Sequence, residues 1–504
     1  MHAYELLMSS SSEHRRRAPY YFALLKVAVR FLLVAAAMGG CVDAPVSDDG
    51  THFRRQPIAE GAFLPLHVDH QRIVDAAGRQ VILRGLQHHA LQDVGYGGRE
   101  VEKADHARVA AWGFSVWRMA ISWSRLEPAR GVFDDRYVDE VRHQLDLAHA
   151  AGLGVVLEWH QDLWGRCAVA ADDPDRASAN GAPDWTCPIA FKPRLLGHFA
   201  LFDRLWSNED GLLDSYEAAF GHLAEALGEH PAVVGWEPMN EPGGAVSSFE
   251  TRLLYPALRR IAPELRRRGA RGLMFIDAPI ARSEALLMNT EDLRPIDPDA
   301  VFAPHLYTGW LSLYRGKRRV DDSRKELDFE LAAEQARAVG LPLWNGEWGV
   351  NLTIEGALED LWTHVGLEDR YAVGSSYWSF SRVFSRPSDG LAVTDGAQAL
   401  LHEDRRERSD VVDALARPYP RQVPGRLERF SFSRDSRTLE IVVVAEPGGA
   451  PLVIVAPMRH FGSCIDVRVR GGSAAVDVRP EAGRVLVSFD TSATYTVTLT
   501  PCQR

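Results

Sequence analysis

Glu241 and Glu347 are the residues of this chain best placed to do chemistry. Glu241 stands at the end of the run VVGWEPMNEP and Glu347 at the end of PLWNGEWGV. Both runs are short, apolar and rich in β-branched and aromatic residues, as expected of strands buried on both faces, and helical spacing follows each. A carboxylate held where a parallel strand meets its loop lies at the end of the sheet where α/β barrels do chemistry. Two carboxylates about 5–5.5 Å apart across one acetal carbon are what cleavage of a glycosidic bond with retention requires. One attacks the anomeric carbon, the other protonates the leaving oxygen and later deprotonates the incoming water. The charge of an ionised Glu347 raises the proton affinity of Glu241 and keeps it an acid; once Glu347 is esterified, Glu241 becomes a base. The alternative for the pair is a buried strand-end ion pair. Glu127, Glu158 and Glu237 are further carboxylates near strand ends; Glu237, four residues before Glu241 on the same face, sits deeper and is not taken as the acid.

These glutamates need a frame, and the chain supplies one between about residues 80 and 416. Candidate strands are VILRGL (81–86), FSVWRMAI (114–121), LGVVLEWH (153–160), VVGWEPMN (233–240), GLMFID (272–277), VFAPHLY (301–307), PLWNGEW (342–348) and GSSYWSF (374–380). Eight such strands with helices between them predict a closed parallel (β/α)8 barrel over residues 57–417. Helices are expected to stop at Gly113, Gly152, Gly228, Gly269 and Gly340, since glycine takes the left-handed conformation most cheaply, and one is expected to start with Asp214 as its N-cap. HVDHQRIVDAAGRQVILRG predicts a hairpin plugging the barrel's bottom, and RPYPRQVPG (417–425) a proline-rich break. Beyond it, alternating runs such as TLEIVVVAE and RVLVSFD predict a small antiparallel β-sandwich over 425–504. Its expected role is packing against the barrel; sugar or lipid binding is the alternative.

At 504 residues, the chain is long enough for two or three units. A formal net charge of −11 argues against a nucleic-acid partner. Arg15, Arg16 and Arg17, then Lys26 and Arg30, precede FLLVAAAMGGC, the pattern of an export signal over 1–41. Met38 to Cys41 resembles a bacterial lipobox, which implies a lipidated Cys41 and attachment to a bacterial envelope membrane; plain secretion is the alternative. A flexible tether is expected over 42–56. Cys167 with Cys187, and Cys464 with Cys502, form two local pairs, and an even count in an exported chain favours disulfides. No CxxC or HExxH spacing calls for zinc, so neither metal nor cofactor is expected.

The pieces RMAISW, LEPARGVF, WHQD, NGAPDW, MNEP, PHLY, NGEWG, SYWS and RPYPRQVPG together resemble glycoside hydrolase family 5, and within it the endoglycoceramidases. The resemblance spans nearly the whole chain after the tether. It implies Glu347 as nucleophile and Glu241 as general acid/base. It also implies that Arg118 orients Glu347, that His305 and Tyr307 bond near the nucleophile and the sugar, and that Asn240 binds the 2-hydroxyl. Trp378 would be the platform under the reacting sugar, with His160, Asp162 and Trp185 as further sugar contacts. For each of these the alternative is an ordinary packed or ion-paired residue. The branch carries a lysine in the loop after strand one; RGLQHHALQDVGYGG has none, leaving His88, His89 or Arg99 in its place.

The resemblance implies a monomer that hydrolyses the β-glycosidic bond between glycan and ceramide in glycosphingolipids. The apolar loops DWTCPIAFKPRLLGHFALFDRLW and YTGWLSLY would line a channel for the acyl-bearing aglycon, or pack on each other. One rival is a related β-glucosidase or endoglucanase acting on steryl glucoside or soluble β-glucan. Another is a non-catalytic glycan-binding envelope lipoprotein, against which the intact set Glu241, Glu347, Asn240 and Arg118 speaks.

Overall fold

Period two explains how the barrel is filled. In the second strand, Val116–Ile121, Val116 and Arg118 alternate on the inner face; Val156 and Glu158 repeat this in Gly154–Trp159, and Gly235 and Glu237 in Val233–Glu237. Parallel register brings these residues level: Gln87 with Arg118, Arg118 with Val156, Glu158 with Glu237. The interior therefore has an apolar lower layer and a charged upper one. The remaining strands are Arg84–His88, Leu273–Ile276, Ala300–Phe302, Trp344–Trp348 and Gly374–Tyr377. All eight run parallel in one sheet, and a parallel bridge from Phe302 to Leu343 closes it into a barrel. The computed structural model describes residues 53–92, 101–170, 179–189, 191, 197–284, 290, 293, 296–308, 319–381, 398–402 and 404–502. The expected signal with Cys41, Arg99 and residues 309–318 of the loop after strand six lie outside them.

The lower layer is sealed as the hairpin predicts. Leu66, Ile73 and Val81 pack on Leu83, Val116, Val156, Val234, Leu273, Phe275, Val301 and Trp344. The hairpin does more than plug. Its strands Leu66–Asp69, Arg72–Asp75 and Gln80–Val81 form one end of an eight-stranded sheet that continues through Tyr419–Val423 into Leu452–Val455, Arg484–Phe489, Ala474–Arg479 and Phe53–Arg55. A four-stranded sheet of Arg426–Ser433, Thr438–Ala445, Ala493–Pro501 and Ile465–Arg470 faces it across an apolar core that includes Ile441, Val443, Val455, Val487, Val497 and Leu499. This is the expected sandwich, with borrowed strands.

Two expectations change accordingly. The proline-rich stretch 417–425 is no break: Tyr419–Val423 is a buried strand paired on both sides, and a register shift between Pro420 and Gln422 accommodates the imide. The expected tether gives way before Gln56, because Phe53–Arg55 pair in parallel with Ala474–Val476. Residues 51–504 form a single compact unit.

Four of the five helix-stopping glycines take positive φ, Gly113 at 98°, Gly152 at 76°, Gly269 at 104° and Gly340 at 71°. At Gly113 a Cβ would also lie 2.5 Å from Val455, so this glycine lets the helix Lys103–Trp112 end against the sandwich. Gly228 is right-handed, φ −61°, and is needed for another reason: a Cβ there would lie 2.3 Å from the Gly269 carbonyl. Asp214 is not an N-cap; the helix Leu212–Leu227 starts earlier, at Gly211, and Asp214 sits in its first turn facing Arg260. Disulfides join Cys167 to Cys187 and Cys464 to Cys502.

A buried ion cluster ties barrel to sandwich. Arg84 at the foot of strand one pairs with Asp369, and Arg417 pairs with Glu368 at 2.9 Å and Asp369 at 2.7 Å. Arg84 also lies 4.1 Å over the Tyr419 ring.

Candidate active site

Arg118 organises the barrel's upper layer. Fully buried, it donates through Nε and Nη2 to the two oxygens of Glu237, through Nη1 to Glu347 Oε2 at 2.7 Å and Gln87 Oε1 at 3.0 Å, and through Nη2 to Asn240 Oδ1 at 2.9 Å. A guanidinium fixed on so many sides holds Glu347 in one orientation. The Tyr307 hydroxyl donates to the other oxygen, Glu347 Oε1, at 2.8 Å. Arg118 and Tyr307 thus bond Glu347 as expected.

Glu241 is not on its strand. The fourth strand ends at Glu237, and Pro238, which has no N–H to give a ladder, starts the turn that follows. The chain folds over so that the Asn240 N–H donates to the Trp159 carbonyl at 2.9 Å, and Glu241 adopts φ 41°, a strained value for a residue with a Cβ. Its backbone N–H donates to Asp277 Oδ2 at 2.6 Å, and Gln161 Nε2 donates to the carbonyls of Asn240 and Glu241 at 2.9 and 3.2 Å. This turn lifts Glu241 beside Glu347: a carboxylate oxygen of each and a ring nitrogen of His305 all lie within 4.8 Å of one another. Both carboxylates reach the surface, with side-chain exposures of 16% for Glu241 and 9% for Glu347.

His305 bonds the acid rather than the nucleophile. Its Nδ1 lies 2.9 Å from Glu241 Oε1 and its Nε2 3.1 Å from Asp277 Oδ2, while Glu347 is 4.0 Å away. His160 departs further from expectation. Glu158 at 2.7 Å and Asp162 at 3.3 Å occupy its two ring nitrogens, so it offers no polar atom to a sugar. Burial works against its charge, and the two carboxylates overcome this and raise it well above the ordinary histidine range. Its ring instead stacks under Trp378, centroids 5.4 Å apart at 18°. Asp162 remains 32% exposed and also accepts from Asn180 Nδ2 at 2.6 Å. Asn240 is buried, its Nδ2 donating to the Gln161 carbonyl at 3.1 Å.

Trp185 is not brought to the carboxylates by any of its bonded neighbours. Its indole N–H donates to the Glu127 carbonyl at 3.0 Å, its ring meets Trp123 edge-on and Arg130 lies 5.6 Å over it, and the side chain stays half-buried. His88 is excluded as a headgroup contact, being wholly buried with Nε2 on Gln144 at 2.9 Å, whereas His89 packs beside Trp378 at 5.6 Å. The apolar helix His198–Trp206 in the loop after strand three turns Leu201, Phe202, Leu205 and Trp206 inward, so the apolar face of this helix is core; Ile189 is fully exposed.

The sequence reading missed Gln87, Gln161 and Asp277 and gave Glu158 and Glu237 no role. Each lies at or just beyond a strand end, and Asp277 closes GLMFID as plainly as Glu347 closes its run. Their crowding shows in the protonation. Burial, with Glu158 and Glu347 adding to it, raises Glu237 to about 7 despite Arg118. Burial and then Glu237 raise Asp277 well above the carboxylate range. Burial also raises Glu347, and it lowers His305 to about 3, so that His305 is neutral.

Comparison with known proteins places the chain in a family. Residues 74–382 match the cellulase model of glycosyl hydrolase family 5, and residues 417–500 match the glycoside hydrolase family 5 C-terminal domain. Endoglycoceramidase I of Rhodococcus hoagii is 25% identical over 469 residues, covering 86% of this chain and 87% of that protein. The structure of endo-glycoceramidase II from Rhodococcus sp. in complex with ganglioside GM3 superposes with a TM-score of 0.70 at 26% identity, covering 87% of this chain and all of that one. Its lactosyl-enzyme intermediate gives 0.68 at 27%, covering 86% of this chain and all of that one. With a barrel, a sandwich and two opposed glutamates all accounted for, the chain belongs to glycoside hydrolase family 5.

Proposed function

We propose that this retaining glycoside hydrolase cleaves the β-glycosidic bond between glycan and ceramide in glycosphingolipids. One observation carries the chemistry: carboxylate oxygens of Glu241 and Glu347 lie within 4.8 Å of each other, too close for a water to be activated between them as inversion demands. Glu347, bonded on both oxygens by Arg118 and Tyr307, is the nucleophile. Glu241, partly exposed and held by His305, is the acid/base. Attack forms a glycosyl ester on Glu347 while Glu241 gives its proton to the departing ceramide oxygen; water, deprotonated by Glu241, then releases the glycan and restores both carboxyls. The second N–H of Asn240 is directed to the 2-hydroxyl, Trp378 on its His160 base supports the ring, and Asp162 accepts from a sugar hydroxyl.

The substrate class rests on similarity to proteins named endoglycoceramidase and to the ganglioside complex. Turnover of glucosyl-, lactosyl- and ganglioside-type ceramides should exceed that of soluble cello-oligosaccharides; activity confined to the latter overturns the ceramide assignment. We also propose export, with Cys41 lipidated and the protein attached to the envelope as a monomer. The two disulfides fit an oxidising compartment. Mass spectrometry of the native N-terminus tests the anchor, with an unmodified Cys41 contradicting it. Among the described residues, no helix is long and apolar enough to cross a membrane.

A further inference from the structure

Asp277 belongs to the barrel mouth but has no part in the two-carboxylate reaction. Its side chain is wholly buried; Oδ2 accepts the Glu241 backbone N–H and faces His305 Nε2 at 3.1 Å, and Oδ1 accepts the Ala278 N–H at 2.6 Å. With His305 Nδ1 on Glu241 Oε1, the three side chains form one continuous line, Asp277 to His305 to Glu241.

The direction of hydrogens along this line can be read from Arg118. Its Nη2 also faces His305 Nε2, at 3.4 Å, and a guanidinium can only donate. A neutral imidazole carries one N–H, so the nitrogen facing Arg118 bears the lone pair and Nδ1 bears the hydrogen, aimed at Glu241. Asp277 Oδ2 lies close to the same lone pair, a contact that is favourable only if the oxygen carries a proton. Its surroundings agree: burial and then Glu237 and Glu241 favour the proton on Asp277, with Arg118 and the Glu241 N–H opposing them, and Glu347, Glu158 and His160 lie around His305.

We propose that Asp277 is a positioning residue that donates a proton from Oδ2 to His305 Nε2, fixing the imidazole N–H on Glu241 Oε1 and confining the transferable proton of Glu241 to its other oxygen. That oxygen gives its hydrogen to the leaving group and takes one from water, so the line ends each turnover as it began. Meanwhile the Nδ1–H bond stabilises Glu241 in its ionised form. Without Asp277 only the longer Arg118 contact, at 3.4 Å, holds the tautomer, and Glu241 meets a lone pair part of the time.

The proposal rests on Glu241 being the acid/base, and the test separates the two. The kcat/KM of wild type, Asp277→Ala and Asp277→Asn is followed against pH on lactosylceramide, whose leaving group needs a proton, and on 2,4-dinitrophenyl β-lactoside, whose leaving group does not. Asp277→Ala should lower kcat/KM on lactosylceramide about 10- to 100-fold and change the dinitrophenyl substrate by less than about 3-fold. Its basic limb should move up by about 1 pH unit, because ionised Glu241 has lost a donor. Asp277→Asn keeps a neutral donor for Nε2 but gives up the acceptor for the Glu241 N–H, and its basic limb should move up by less than that of Asp277→Ala. A basic limb that moves down in either variant means that Asp277 is an ionised neighbour and overturns the proposal, as does an unmoved limb in Asp277→Ala. If Asp277→Ala does not fold, the Asp277→Asn profile decides by the same sign. Glu241→Ala, run beside them, should spare the dinitrophenyl substrate and be rescued by azide; if it is not, the acid/base assignment itself fails.

Discussion

Two clusters of buried charge sit at opposite ends of the same barrel. At the foot, among the described residues, Arg84 and Arg417 meet Glu368 and Asp369, two cations against two carboxylates. At the mouth, Glu158, Glu237, Asp277, Glu241 and Glu347 crowd around Arg118, with His160 as a second cation. The foot is balanced and joins two layers of the fold. The mouth carries a surplus of acid, and burial, with that surplus adding to it, keeps protons on carboxyls near neutral pH. The foot supports structure, whereas the mouth trades stability for reactivity.

Substitutions at the two ends should separate these roles. Glu347→Gln should lower kcat on the order of 10⁴-fold or more while leaving the melting temperature equal to or above wild type, since it removes one surplus charge. Steady-state kinetics and thermal melts on one preparation check both halves. Arg417→Met should do the reverse. It leaves Glu368 facing no cation at the seam except Arg84 beyond Asp369, and should cost about 3–5 kcal/mol in denaturant unfolding with kcat of the folded fraction unchanged. Removing Cys464–Cys502 by double alanine substitution, 38 residues apart, should cost about 2–4 kcal/mol, again without effect on kcat.

The smallest effect is in pH. Glu237 holds its proton up to about 7 when folded, against an ordinary 4.5. Between those limits the folded chain binds more protons than the unfolded one, so this stabilisation is present below 4.5 and fades as pH rises through 7. Melting temperatures from pH 4.5 to 8 should fall less steeply in Glu237→Gln than in wild type. An unchanged slope would mean that Arg118 holds Glu237 ionised.

The barrel was legible in the sequence because buried parallel strands are written as short apolar runs, and all eight runs became strands. The nucleophile was legible for the same reason. The place of Glu241 was not: MNEP continues the apolar pattern of VVGWE, and only Pro238 signals that the ladder stops at Glu237. The His160 misreading had a visible remedy. Glu158, His160 and Asp162 alternate, which puts all three on one face of an extended chain and the histidine between two acids. Asp277 had no local signal beyond its strand-end position. Its meaning depends on an N–H from 36 residues upstream and an imidazole from 28 residues downstream, a juxtaposition that only the closed barrel creates. The borrowed strands of the sandwich were hidden likewise, since pairing of Gln80–Val81 with residues 422–423 is a property of topology.

Whether the mouth holds an attacking carboxylate opposite a proton carrier is tested most directly by the anomer first released. Proton NMR in the first minutes of lactosylceramide hydrolysis should show β-lactose forming ahead of mutarotation. An initial excess of the α-anomer would mean single displacement by water and would contradict Glu347 as a nucleophile.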